Sequence, residues 1–120
     1  SALLWAARHG QEVTAQKFLR EKANIQATND YYQAPLLLAV EKGHKQVLKL
    51  LLDKGADVNA QGGRYGNALQ AASARGHEAA VVRMLLDKGA NVNGQQGGHF
   101  GNALQAASAR GEEAVVKLLV

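Results

Sequence analysis

The chain has 120 residues, 47% of them hydrophobic and 20% charged, the balance of one folded domain rather than a disordered or fibrous chain. It contains no cysteine, which excludes disulfides, thiolate metal sites and a cysteine nucleophile, and no apolar run approaches the roughly 20 residues of a membrane helix. Lysine and arginine exceed aspartate and glutamate by 14 to 10, and the resulting charge of +4 favours an acidic partner only mildly.

The N-terminus lacks a charged segment followed by an apolar signal core, so the reading is of a soluble intracellular protein, cytoplasmic or nuclear. Aromatics are only 5% of residues. The core must therefore be built from alanine, leucine and valine, which suits short helices packed closely.

In chain order, the first element starts at Ser1, whose hydroxyl can cap a free backbone N–H, and runs through SALLWAARHG to Gly10. The next helix opens at Ala34 with Pro35 at its first position, where a missing N–H costs nothing, and ends near Gly43. An apolar helical face comes next at Val47 to Leu52, stopped by Gly55, and then a glycine-rich extended turn, ADVNAQGGRYG. Asn67 caps a third such helix, with Gln70 placed three residues later as in a capping box, and Gly76 closes it. Val81 to Leu86 form the next apolar face, in which Val81 meets Leu85 and Val82 meets Leu86, and Gly89 stops it. After the turn ANVNGQQGGHFG, Asn102, Gln105 and Gly111 repeat the punctuation, and Val115 to Val120 repeat the apolar segment.

These elements recur. GNALQAASARG occurs at 66–76 and at 101–111, LLDKGA at 51–56 and 85–90, and Gly10, Gly43 and Gly76 lie 33 residues apart. From Gly76 to Gly111 the spacing is 35, because one extra residue lies at Ala79 or Ala80 and another at Gln95 or Gln96. Such irregularity favours a natural sequence over a consensus array. Each unit is helix, turn, helix and long loop, and two short helices bury a core only by stacking on neighbouring units.

Ala34-Pro35-Leu36-Leu37, Gly43-His44, Leu51-Leu52 and Gly55-Ala56-Asp57-Val58-Asn59, at this period, resemble the ankyrin repeat over essentially the whole chain. The resemblance implies an all-α ankyrin-repeat solenoid of about four helix-turn-helix units with projecting β-turn or hairpin loops. As one domain, 1–120, its repeats fall approximately at 1–28, 29–61, 62–96 and 97–120, the outer two incomplete. Asn-Ala-Leu-Gln replaces the usual opening in the last two units, a variant that looks like the multi-repeat tails of fungal proteins carrying a nucleotide-binding oligomerisation domain.

No constellation of nucleophile, base and orienting group appears, so catalytic residues, cofactor and metal ligands are all expected to be none. The four histidines do not converge on a metal spacing, and in ankyrin repeats the histidine at His44 and His77 hydrogen-bonds backbone. Gly62-Gly63-Arg64-Tyr65-Gly66 and Gly97-Gly98-His99-Phe100-Gly101 lack the Gly-Lys-Ser/Thr ending of a phosphate loop and come after helices, so they read as turns. Ser73 and Ser108 fall in a small-residue column of the first helices, where a packed hydroxyl is expected. Asn59 and Asn93 are expected, by the resemblance, to tie loop backbone together.

Ankyrin arrays recognise partners with loop tips and the exposed side of the first helices, which line a concave surface. Carried over position by position, this selects Tyr31, Tyr32, Arg64, Tyr65, His99 and Phe100 at the tips, and Trp5, Arg8, Leu38, Lys42, Arg75 and Arg110 on the first helices. Glu41, Ala71 and Ala106 fall in the same columns. Tyrosine and arginine are typical interface anchors. The rings could equally pack on neighbouring loops, Trp5 could be a core residue at an uncovered edge, and the basic column could be one solvated residue duplicated. Counted over this surface, Arg8, Lys42, Arg64, Arg75 and Arg110 outweigh Asp30 and Glu41, placing most of the net charge on one face.

The leading expectation is a non-catalytic protein–protein interaction scaffold whose partner, another protein, preferably with an acidic or aromatic-accepting surface, binds the concave face. Nucleic-acid or other polyanion binding through the basic column is the alternative, disfavoured because +4 is modest against a phosphate-reading footprint. No membrane contact is expected. Ser1 starts at a cap and Val120 stops within an apolar helix, so the chain is expected to be a segment of a longer array and to self-associate through uncapped ends.

Overall fold

The computed structural model describes residues 1–63, 66–75 and 79–90, the side chain of Arg75 excepted. Within them six helices succeed one another in three pairs: α1 Ala2–His9 with α2 Glu12–Arg20, α3 Pro35–Glu41 with α4 Lys45–Asp53, and α5 Ala68–Arg75 with α6 Ala79–Asp87. The first helices stack α1 on α3 on α5, and α2 packs on α4. This is the all-α ankyrin solenoid that the repeat implied. The fourth unit's Asn102, Gln105, Gly111 and Val115 to Val120 lie outside the described residues.

Much of the punctuation acts as the sequence predicts, but Gln70 Oε1 accepts no hydrogen bond among the described residues, so the return arm of the expected capping box to the Asn67 N–H is not made. Ser1 Oγ accepts the Leu4 N–H at 3.3 Å, Asn67 Oδ1 accepts the Gln70 N–H at 2.8 Å, and Pro35 opens α3. Gly10 closes α1 at φ 69°, its own N–H donating to the Ala6 carbonyl. The next N–H then reaches back five positions, Gln11 to Ala6 at 2.9 Å, and the same bond recurs from His44 to Ala39, Ala56 to Leu51 and Ala90 to Leu85. Gly43, Gly55 and Gly89 precede those last three donors, at φ 75, 89 and 93°. Gly76 and His77 lie outside the described residues.

The second helix that the repeat implies for the first unit is α2, less apolar than its counterparts α4 and α6. Only Ala15 on it is fully buried, Phe18 and Leu19 are half-buried against the core, and Val13 is exposed. Its closure is made without glycine: Lys22 takes φ 64° and Ala23 donates to Phe18 at 2.9 Å. At the other extreme α3 is buried from Pro35 through Val40, as befits a helix packed between α1 and α5.

α6 keeps the nine-residue length of α4, and Val81, Val82 and Leu85 are buried as Val47, Leu48 and Leu51 are. Lys45 starts α4 two residues after Gly43, whereas Ala79 starts α6 three after Gly76. The extra residue of the third unit, expected at Ala79 or Ala80, is thus taken up ahead of these two, which already belong to α6, and the apolar face is not rotated.

Two expected positions of the concave surface are corrected by burial. Leu38 is 3% exposed and belongs to the core cluster, and Ala71 is fully buried, because both lie where neighbouring first helices meet. Leu38 therefore cannot serve as a protruding anchor.

Candidate functional site

The turn preceding α3 is organised by one amide. Asn29 Oδ1 accepts the backbone N–H groups of Tyr31 at 2.9 Å and Gln33 at 3.1 Å, and Asn29 Nδ2 donates to Gln33 Oε1 at 2.9 Å. The Gln33 amide in turn donates to the Glu41 carboxylate on α3, so the turn is tied to the helix it precedes. Tyr31 and Tyr32 sit at its tip, 74% and 72% exposed, and Tyr32 holds a left-handed φ of 61°. The next loop closes against this tip: Gly63 N–H donates to the Tyr31 carbonyl at 3.1 Å, and a Cβ on Gly62 would run into the Tyr32 carbonyl. Gly62 also forms an isolated antiparallel bridge with Gly66, the hairpin element of that loop.

On the first-helix side, Trp5 is 54% exposed and its ring lies over His9, one turn on, with centroids 4.9 Å apart. Both line a hollow of about 480 Å³ between α1 and α3, with Leu4, Arg8, Asn29 and Leu38. Leu38, removed as an anchor, returns as part of this wall. Arg8 and Lys42 are exposed and make no ion pair among the described residues. Among the described side chains of the expected surface, Arg8 and Lys42 stand against Asp30 and Glu41, so the basic excess expected there depends on residues beyond them. Arg75 has no described side chain, and Arg64, Tyr65, His99, Phe100 and Arg110 lie outside the described residues.

The remaining polar residues bind the stack to itself. His44 Nε2 lies 3.0 Å from the Arg8 carbonyl, and because a carbonyl only accepts, Nε2 carries the proton. Asn59 Nδ2 donates to the Gly89 carbonyl at 3.1 Å, joining the second unit's turn to the end of α6, a longer reach than tying its own loop. Ser73 is fully buried in α5. On the second-helix side Lys88 pairs with Asp53 at 3.6 Å, a half-exposed contact of little energetic weight. Among the described residues no three histidine, aspartate or glutamate side chains gather, and no helix is long and apolar enough to cross a membrane.

Two family models match the chain. One, described as ankyrin repeats in three copies, covers residues 1–62, and another, ankyrin repeats in many copies, covers residues 69–120. Among curated proteins it is similar to a palmitoyltransferase of Lachancea kluyveri, 40% identical over 57 residues and 48% of the chain. It is also similar to a Caenorhabditis elegans homologue of the transient receptor potential cation channel subfamily A member 1, 33% identical over 68% of the chain. A probable E3 ubiquitin-protein ligase of Oryza sativa subsp. japonica is 36% identical over 62% of it. The chain spans 8%, 7% and 15% of the lengths of these three relatives.

Proposed function

The chain belongs to the ankyrin-repeat family, whose repeats mediate protein–protein interaction, and from that premise we propose that it is a non-catalytic scaffold holding a partner protein on its concave face. One observation carries the reading: Trp5, Tyr31 and Tyr32 are large apolar rings left exposed on the first helix and loop tip while the leucines around them are buried. By register the surface continues through Lys42, Arg64, Tyr65, Arg75, His99, Phe100 and Arg110 in units at 29–61, 62–96 and 97–120, after a first at 1–28.

An acidic partner is supported by Arg8 and Lys42, which lack ion pairs among the described residues. The setting is intracellular and no cofactor is used. Within the family, Asn67-Ala68-Leu69-Gln70 and its copy at 102–105 support kinship with the repeat tails of fungal nucleotide-binding oligomerisation domain proteins.

The test begins with a partner captured from the native source and then compares two faces. Trp5→Ala with Tyr32→Ala should weaken its binding by roughly tenfold or more, the size of an interface anchor, while Val13→Ser with Lys49→Ala on the second helices leaves it within about twofold. Equal losses from both faces would remove the concave assignment. Binding to random DNA that matched the partner's and fell steeply with salt would instead select the polyanion reading.

A further inference from the structure

We propose that the hollow between α1 and α3 receives a partner peptide presenting a carboxylate beside an aliphatic or aromatic side chain. This rests on the concave-face reading and gives it a chemistry. The hollow, about 480 Å³, is within the range of preformed ligand sites. Leu4, Trp5 and Leu38 supply an apolar wall, and the exposed flat of Trp5 can lie against one bulky side chain.

Its polar side is cationic. Arg8 stands in the lining beside His9, and among the described residues no aspartate or glutamate lines the hollow. The Arg8 guanidinium makes no ion pair among the described residues, so its fork of donors is open to a ligand carboxylate. Asn29, also in the lining, spends its side-chain carbonyl on the backbone of Tyr31 and Gln33. A surface built in advance loses little freedom on binding, so a short acidic-apolar segment suffices.

Trp5 is the single tryptophan of the chain, so its fluorescence reports on the hollow directly. The probes are N-acetyl-Leu-Glu-Leu-Glu-amide, its Leu-Gln-Leu-Gln counterpart, its Gly-Glu-Gly-Glu counterpart, and a thymidine oligonucleotide of matching charge, each at about 20 mM salt to limit screening. The acidic leucine peptide should give a saturable change. Both peptide controls, and Arg8→Gln with an unchanged circular dichroism spectrum, should be roughly tenfold weaker, the loss of one charge-assisted hydrogen bond or one buried side chain. Lys49→Gln, away on the second helices, should bind as the parent does.

Equal responses to the Glu and Gln peptides, unaltered binding by Arg8→Gln, or an equal response to the oligonucleotide would each overturn the proposal. If Arg8→Gln fails to fold, the peptide and oligonucleotide comparison on the unsubstituted chain decides alone. A captured partner that needs Trp5 and Tyr32 while the peptides leave fluorescence unchanged would sink this subsite and spare the concave face. A partner indifferent to those two substitutions, with the peptides still bound through Arg8, would do the reverse.

Discussion

A side chain held at left-handed φ crowds its own backbone, so glycine closes described helices at Gly10, Gly43, Gly55 and Gly89, with φ between 69 and 93°. Lys22 occupies the position one 33-residue period before Gly55 and makes the same closure at φ 64°. Lys22→Gly should therefore raise unfolding free energy by about 1 kcal/mol, read as a higher urea midpoint at constant slope. A lower midpoint would mean that the Lys22 side chain contributes more than its backbone costs. Tyr32, at φ 61°, is the other non-glycine residue held this way among the described residues, and it closes no helix. The turn organised by Asn29 holds it there, with its ring left exposed. Tyr32→Gly should stabilise by a similar amount of about 1 kcal/mol yet weaken partner binding, whereas Lys22→Gly should leave binding alone. Calorimetry and a binding titration on the two variants separate backbone relief from lost contact.

At the scale of elements, the interior sets where a helix turns and the loops absorb length. α6 holds Val81, Val82 and Leu85 inward although its unit carries an extra residue, which lies ahead of Ala79. Inserting an alanine between Val82 and Arg83 should rotate the remainder of the helix by about 100°, carry Leu85 from the core and cost at least about 2 kcal/mol. Deleting Glu78, ahead of the helix, should cost less than about 1 kcal/mol, because the second unit spans the same step with one residue fewer. Equal costs would show that register is not set by these three side chains. The same logic explains how much of the fold is legible in the sequence. Ser1, Pro35, Asn67 and the glycines announce helix ends through local chemistry, so pairs and boundaries can be read directly. α2 is harder to read, because Glu12–Arg20 is polar on balance and buries only one alanine fully; its signals are the helical spacing of Ala15, Phe18 and Leu19 and the 33-residue offset that lays it under Lys45–Asp53. Leu38 and Trp5 share a column, yet one is buried and the other half exposed. Register assigns a level and a side, while coverage depends on the side chains that the adjacent unit places there.

Across the whole molecule, stability is a chain of neighbour contacts, because α1 meets α3, α3 meets α5, and single side chains tie successive units. His44 joins the second unit to the first through the Arg8 carbonyl, and Asn59 joins it to the third through the Gly89 carbonyl. These ties share no partner. His44→Ala and Asn59→Ala, each removing at least one hydrogen bond of about 1 kcal/mol, should therefore add within about 0.5 kcal/mol when combined. Gly10 gives the contrasting case. A Cβ there would lie 2.5 Å from His44 Nδ1 and 2.8 Å from Cε1, at a residue whose φ of 69° already disfavours a side chain. Gly10→Ala must then bear the backbone cost and also push the imidazole from the Arg8 carbonyl. With His44 already truncated, only the backbone cost remains. The double variant should be more stable than the sum of the single losses by at least about 1 kcal/mol, measured by urea unfolding of all four proteins. Simple additivity in that cycle would mean that the imidazole moves aside without losing its bond, and that Gly10 is required for its backbone alone.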